Sequence, residues 1–114
     1  MDIKFHWVKK LGVIGSFALF TSLLAGTAIA QEDGEALFKA KCASCHKWDQ
    51  KLVGPPHNEV LPKYEGKEQQ LIAFIRNPVK VDPAYPPMPN PGLKPNEAEA
   101  VAKYLLETYK EQSN

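Results

Sequence analysis

The clearest pattern of hydrophobic and polar positions lies near the end of the chain. Ala98, Val101, Ala102, Leu105 and Tyr109 recur at i, i+3, i+4, i+7 and i+11, the period of an amphipathic helix. Pro95 suits the first helical position, Glu97 and Glu99 fall in the first turn, and Lys110 falls in the last, so the ends complement the helix dipole. The pattern predicts a helix over 95–110. A second is predicted over 67–77, where Leu71, Ile72, Phe74 and Ile75 form a buried stripe and Pro78 stops the helix, because the residue before proline is pushed out of helical geometry. A third is predicted over 34–44. Its acidic start (Glu32, Asp33 and Glu35) and the spacing of Leu37, Phe38 and the Lys41/Cys42 step carry that reading.

Between these helices the pattern fails. "DQKLVGPPHNEVLPKYEG", 49–66, shows no sustained period and reads as loop. "PVKVDPAYPPMPNPGLKP", 78–95, holds seven prolines, which excludes a helix or a central strand. The same prolines stiffen it, so it loses less entropy on ordering. Tyr85, Met88 and Leu93 are the residues such a loop could present.

The first thirty residues differ in kind. Lys4, Lys9 and Lys10 face a single acid, Asp2, and the 20 residues from Leu11 to Ala30 carry no charge. The stretch closes on "AIA" and is followed by the acidic "QEDGE", the layout of a cleavable secretory signal. A retained membrane anchor is the competing reading, since about 20 apolar residues can cross a bilayer. Gly12, Gly15, Ser16, Thr21, Ser22, Gly26 and Thr27 shorten the strongly apolar part and favour cleavage after Ala30. The expected organisation is a signal over 1–30 and one domain over 31–114.

Cleavage changes the charge. It takes the basic count from 14 to 11 and the acidic count from 13 to 12, so a formal +1 becomes −1. Neither value suggests a nucleic-acid partner. A domain this short buries little apolar surface and usually needs a staple or a prosthetic group. Export implies an oxidising compartment in which an unguarded thiol pair would not persist.

Those two points meet at "FKAKCASCHKWDQ", which holds the only two cysteines, Cys42 and Cys45, with His46 directly after. Cys-x-x-Cys-His can place two thioether anchors and one axial imidazole on a single haem. Zinc would want four ligands, often as two pairs, and the pool here is Cys42, Cys45, His46, His57 and carboxylates. A thioredoxin-like redox pair would follow a strand in a parallel-sheet pattern, whereas the surroundings here read as helical. A disulfide at this spacing would close almost no loop and stabilise little. With His46 on one side of the iron, the other axial position falls to Met88, the only methionine in 31–114. A thioether there is soft and neutral and raises the reduction potential. His57, after "GPP", is the rival ligand and is otherwise expected to be a surface or hydrogen-bonded histidine.

With these residues in order, 32–110 resembles a small class I c-type cytochrome. "GEALFKAKCASCH" resembles the first helix, with Gly34 and Phe38 where small and aromatic residues pack against the last helix. "VGPP" resembles the Gly-Pro turn, "LIAFIRNP" the middle helix, "YPPMP" the distal-methionine loop, and "LKPNEAEAVAKYLLE" the terminal helix, with Tyr104 in its aromatic position. The resemblance implies an all-α cytochrome c fold, with three main helices and loops wrapped around one covalently attached haem c. It implies that the Pro55 carbonyl accepts a hydrogen bond from His46. It further implies His/Met-ligated iron, one-electron transfer and no enzymatic turnover. Donor and acceptor would be redox proteins, a dehydrogenase or oxidase among the candidates. The expected setting is a monomer in the bacterial periplasm, bound to membrane only if the N-terminal segment is retained. Lys39, Lys41, Lys47 and Lys51 would offer a basic surface to an acidic partner. Two alternatives stand beside the free carrier: a cytochrome subunit of a larger dehydrogenase or oxidase, and a haem sensor or peroxidase with an open sixth position.

Overall fold

The computed structural model describes residues 32–114 of the chain; the expected export signal, residues 1–30, lies outside them. Four helices follow in order: α1 (Gly34–Lys41), α2 (His57–Val60), α3 (Glu68–Arg76) and α4 (Pro95–Ser113), with a single 3-10 turn at Leu61–Tyr64 after α2. No strand occurs among the described residues, and the fold is all-α. None of these helices is long and apolar enough to cross a membrane.

The Asp33 side chain caps α1 by accepting from the Ala36 amide at 3.1 Å. The helix ends before residue 44. The Cys42 and Ala43 amides both donate to the Phe38 carbonyl, at 2.8 and 3.0 Å, and the Cys45 and His46 amides both donate to that of Cys42, at 3.1 and 3.0 Å. Shared acceptors break the one-to-one ladder of an α-helix, so the Cys-x-x-Cys-His stretch forms tight turns rather than another helical turn. α3 ends at Arg76, one residue inside the predicted limit, with Pro78 beyond it. α4 starts at Pro95, where Glu97 Oε2 accepts from the Lys94 amide at 2.7 Å. It runs three residues past the predicted end, to Ser113, because no proline or glycine follows Lys110 to stop it.

The 49–66 segment is not all loop. It contains α2 and the 3-10 turn, each four residues long. Elements this short complete little more than one turn and leave no hydrophobic period to detect.

α4 supplies the inner face of the core. Ala98, Val101 and Ala102 are fully buried, and Leu105 joins them with Leu71, Ile72 and Ile75 of α3, Leu61 and Leu93. The α3 stripe is narrower than expected, since Phe74 is only half-buried and lines a cleft instead. α1 crosses α4 at Gly34, where a Cβ would run into the Ala100 carbonyl and come 2.9 Å from Cβ of Tyr104. One turn along, Phe38 and Tyr104 pack with ring centroids 5.6 Å apart. The two chain ends of the described domain are thus clasped together, and the middle of the chain folds over one side of the clasp.

Candidate functional site

That side holds an apolar cleft with about 1060 Å³ of empty space, its open mouth included. Its walls combine Cys42, Cys45 and His46, the Gly54–Pro55 turn, Leu61, Tyr64, Phe74 and Ile75, Met88, and Val101 and Leu105 of α4. Cys42, Cys45, His46, Pro55 and Met88 therefore share one cavity, although 42 positions separate His46 from Met88.

Cys42 is buried and Cys45 half-buried, each as a free thiol. Burial pushes the Cys42 thiol up, with Cys45 adding to the effect, so it stays protonated where a thiolate would be costly. Backbone bonds pin the turn against the motif: the Gly54 amide donates to Cys45 at 2.8 Å, that of His57 to Lys47 at 3.1 Å, and that of Asn58 to Trp48 at 3.0 Å. This zipper sets the imidazole of His46. Its Nδ1 donates to the Pro55 carbonyl at 3.1 Å, and a neutral ring with its proton on Nδ1 keeps the Nε2 lone pair for a metal. Gly54 leaves room for that ring, since a Cβ there would stand 2.5 Å from Cε1.

His57 departs from expectation. It is 6% exposed, its Nδ1 is buried without a hydrogen-bond partner, and its ring stacks on His46. Phe38 and Trp48 close in at 5.4 and 6.0 Å between centroids. Burial first, then the neighbouring His46, lowers its pKa to about 4. A histidine after two prolines carries no local sign of burial; only the Lys47 and Trp48 pairing turns it inward.

Sequence reasoning also missed the rim of the cleft. Val53, Val79 and Val81 stand 51, 57 and 65% exposed beside Lys63 and Lys80. Lys39 is tied to Glu35 within α1, and the Lys51 ammonium sits 4.7 Å from the Tyr85 ring centroid. The basic group anticipated around the motif is therefore partly engaged within the protein.

The residues present fit haem c. Two thiols, an imidazole with one nitrogen already committed and a thioether line one apolar cleft. A zinc cage fits less well, because among the described residues no group of three or more His, Cys, Asp or Glu side chains is placed to hold a metal ion.

Comparison with known proteins agrees. The family model described as "Cytochrome c" matches residues 31–108. Cytochrome c-551 of Pseudomonas aeruginosa is 38% identical over 98 residues, covering 79% of this chain and 94% of that one. Cytochrome c-551 of Stutzerimonas stutzeri is 40% identical over 103 residues, covering 87% and 97%. Cytochrome c6 of a Nostoc species is 31% identical over 102 residues, covering 82% and 86%. The chain belongs to the cytochrome c family and is an electron-transfer protein, not an enzyme, built around covalently attached haem c.

Proposed function

We propose that Cys42 and Cys45 anchor the haem, that His46 and Met88 are its axial ligands, and that the protein passes single electrons between redox proteins on the exported side of a bacterial membrane. The observation that carries this reading is the convergence of all four side chains on one apolar cleft. Each thiol would hold the haem by adding its S–H across a vinyl double bond, which would leave a neutral thioether and bury no charge. The bound haem supplies a reversible Fe(III)/Fe(II) couple. The Pro55 carbonyl fixes the tautomer and plane of His46 and makes it a better donor.

Residues 1–30 act as a cleaved export signal, and the haem domain begins at Gln31. The carrier works as a periplasmic monomer. Its donor or acceptor is a dehydrogenase or oxidase with an acidic docking face, met by Lys63 and Lys80 beside the cleft and by the exposed Lys47 next to His46. N-terminal sequencing of the exported protein tests the cleavage site: a start at Gln31 supports it, and a start at Met1 makes the protein membrane-anchored.

Visible spectra of the protein matured with haem-attachment machinery test the ligands. Low-spin bands, a far-red ferric band from iron–sulfur ligation and no response to carbon monoxide are expected. A high-spin spectrum that shifts with carbon monoxide would remove Met88 from the iron and favour a sensor or peroxidase.

A further inference from the structure

Met88 lies in a segment with almost no polar attachment. Six of the sixteen residues from 78 to 93 are prolines, and each removes a backbone donor. Inside the segment, the Tyr85 amide donates to the Asp82 carbonyl at 3.2 Å and the Ala84 amide to Asp82 Oδ1 at 2.8 Å. Among the described residues, one hydrogen bond joins 78–93 to the rest of the protein: Asn90 Nδ2 donates to the Arg76 carbonyl at 2.8 Å. The other end of the same amide accepts from the Gly92 amide at 2.8 Å. Gly92 has φ +70, a conformation glycine adopts without strain.

We propose that Asn90 is a positioning residue that holds Met88 at the iron, by strapping the methionine loop to the last turn of α3. This rests on the reading of Met88 as the sixth ligand. Arg76 is the final residue of α3, so its carbonyl is one of the acceptors a helix end leaves unpaired. The Asn90 amide fills that acceptor with a donor at the negative end of the helix. α3 is itself fixed, because Leu71, Ile72 and Ile75 are buried in the core. Asn90 thus refers the methionine loop to the most rigid element near it, and Met88 is two residues away. Leu93 anchors the far end by burial, but nothing polar replaces the Asn90 tie between residues 78 and 92. The loop would open about Asn90 before the rest of the protein unfolds.

The test compares wild type, Asn90→Ala and Asn90→Asp as haem-loaded proteins. Asn90→Asp keeps the shape and the acceptor for Gly92, but a carboxylate cannot donate to the Arg76 carbonyl. The rate at which added imidazole displaces the ferric far-red band is read beside the denaturant unfolding midpoint. Losing this hydrogen bond should speed displacement roughly two- to tenfold. Both variants should show this, and displacement should remain much faster than global unfolding. Asp behaving as wild type would overturn the proposal, as would displacement no faster than global unfolding. A wild type with no far-red band would fail the Met88 assignment itself, and the strap would fall with it.

Discussion

The imidazole of His57 lies nearly parallel to that of His46, with ring centroids 4.8 Å apart and planes 14° apart. One of these rings has its Nδ1 satisfied by Pro55, and the other has its Nδ1 buried without a partner. A buried polar atom without a partner costs about 1–3 kcal/mol. His57→Phe keeps an aromatic ring between Phe38, Trp48 and His46 and removes the orphaned nitrogen. It should match or exceed wild-type stability, by up to about 1–2 kcal/mol. His57→Ala should lose about 2–4 kcal/mol to the cavity it leaves. Urea unfolding followed by helix content separates the two, and a His57→Phe variant less stable than wild type by about 1 kcal/mol or more would show that the nitrogen has a partner in solution.

Gly54 tests how tightly His46 is seated. A methyl group at 54 would stand 2.5, 2.8 and 2.9 Å from Cε1, Nδ1 and Nε2 of the ring. The neighbouring Pro55 holds the same ring, so the ring cannot retreat without lengthening the 3.1 Å hydrogen bond. Gly54→Ala should destabilise by about 1–3 kcal/mol, the usual range for overpacking. It should also lower the yield of haem-loaded protein relative to Gly66→Ala, where the added Cβ meets nothing within 4 Å. An alanine at 66 would be strained by the local φ of +68, so equal losses of haem-loaded protein in the two variants would mean that general destabilisation, not crowding of His46, is the cause.

The assignment of Met88 predicts a change in potential. Removing a neutral thioether removes a ligand that favours Fe(II). Met88→Ala should lower the midpoint potential, abolish the far-red ferric band and admit carbon monoxide to the ferrous protein, while the helices persist. Voltammetry and visible spectra read both effects. A variant that keeps the wild-type potential and resists carbon monoxide would move the sixth ligand elsewhere.

Some of this was legible in the chain and some was not, for physical reasons. α3 and α4 announce themselves because their apolar residues repeat one helical face over two or more turns, and Pro78 and Pro95 mark a stop and a start. The Cys-x-x-Cys-His motif was legible because it is contiguous: Cys42, Cys45 and His46 need no tertiary fold to come together. The place of Met88 on the cleft wall was foreshadowed by its being the lone methionine of residues 31–114, in a loop too proline-rich to be helix. The end of α1 was missed because shared acceptors at Phe38 and Cys42, not a breaker residue, stop it. The inward turn of His57 and the tie from Asn90 to Arg76 were illegible because each depends on residues brought together by the fold.

The crossing of α1 and α4 gives the last prediction. At Gly34 the α4 backbone comes so close that a Cβ would overlap the Ala100 carbonyl, which is backbone and cannot swing aside. Gly34 is buried, and Phe38 meets Tyr104 one turn along with centroids 5.6 Å apart. Elsewhere in a helix, Gly→Ala gains up to about 1 kcal/mol from propensity. Here the sign should reverse. Gly34→Ala should lose about 1–3 kcal/mol, because α1 must move away from α4 and loosen the aromatic pair. Gly34→Val should lose more and reduce the yield of haem-loaded protein, since α1 leads directly into Cys42 and Cys45. An exposed control on the same helix, Glu35→Ala, should change stability by less than about 0.5 kcal/mol. Denaturant unfolding of the three variants decides it: a stabilised Gly34→Ala would mean the helices sit further apart than 34 and 100 indicate, and the clasp would have to be sought at Phe38 and Tyr104 alone.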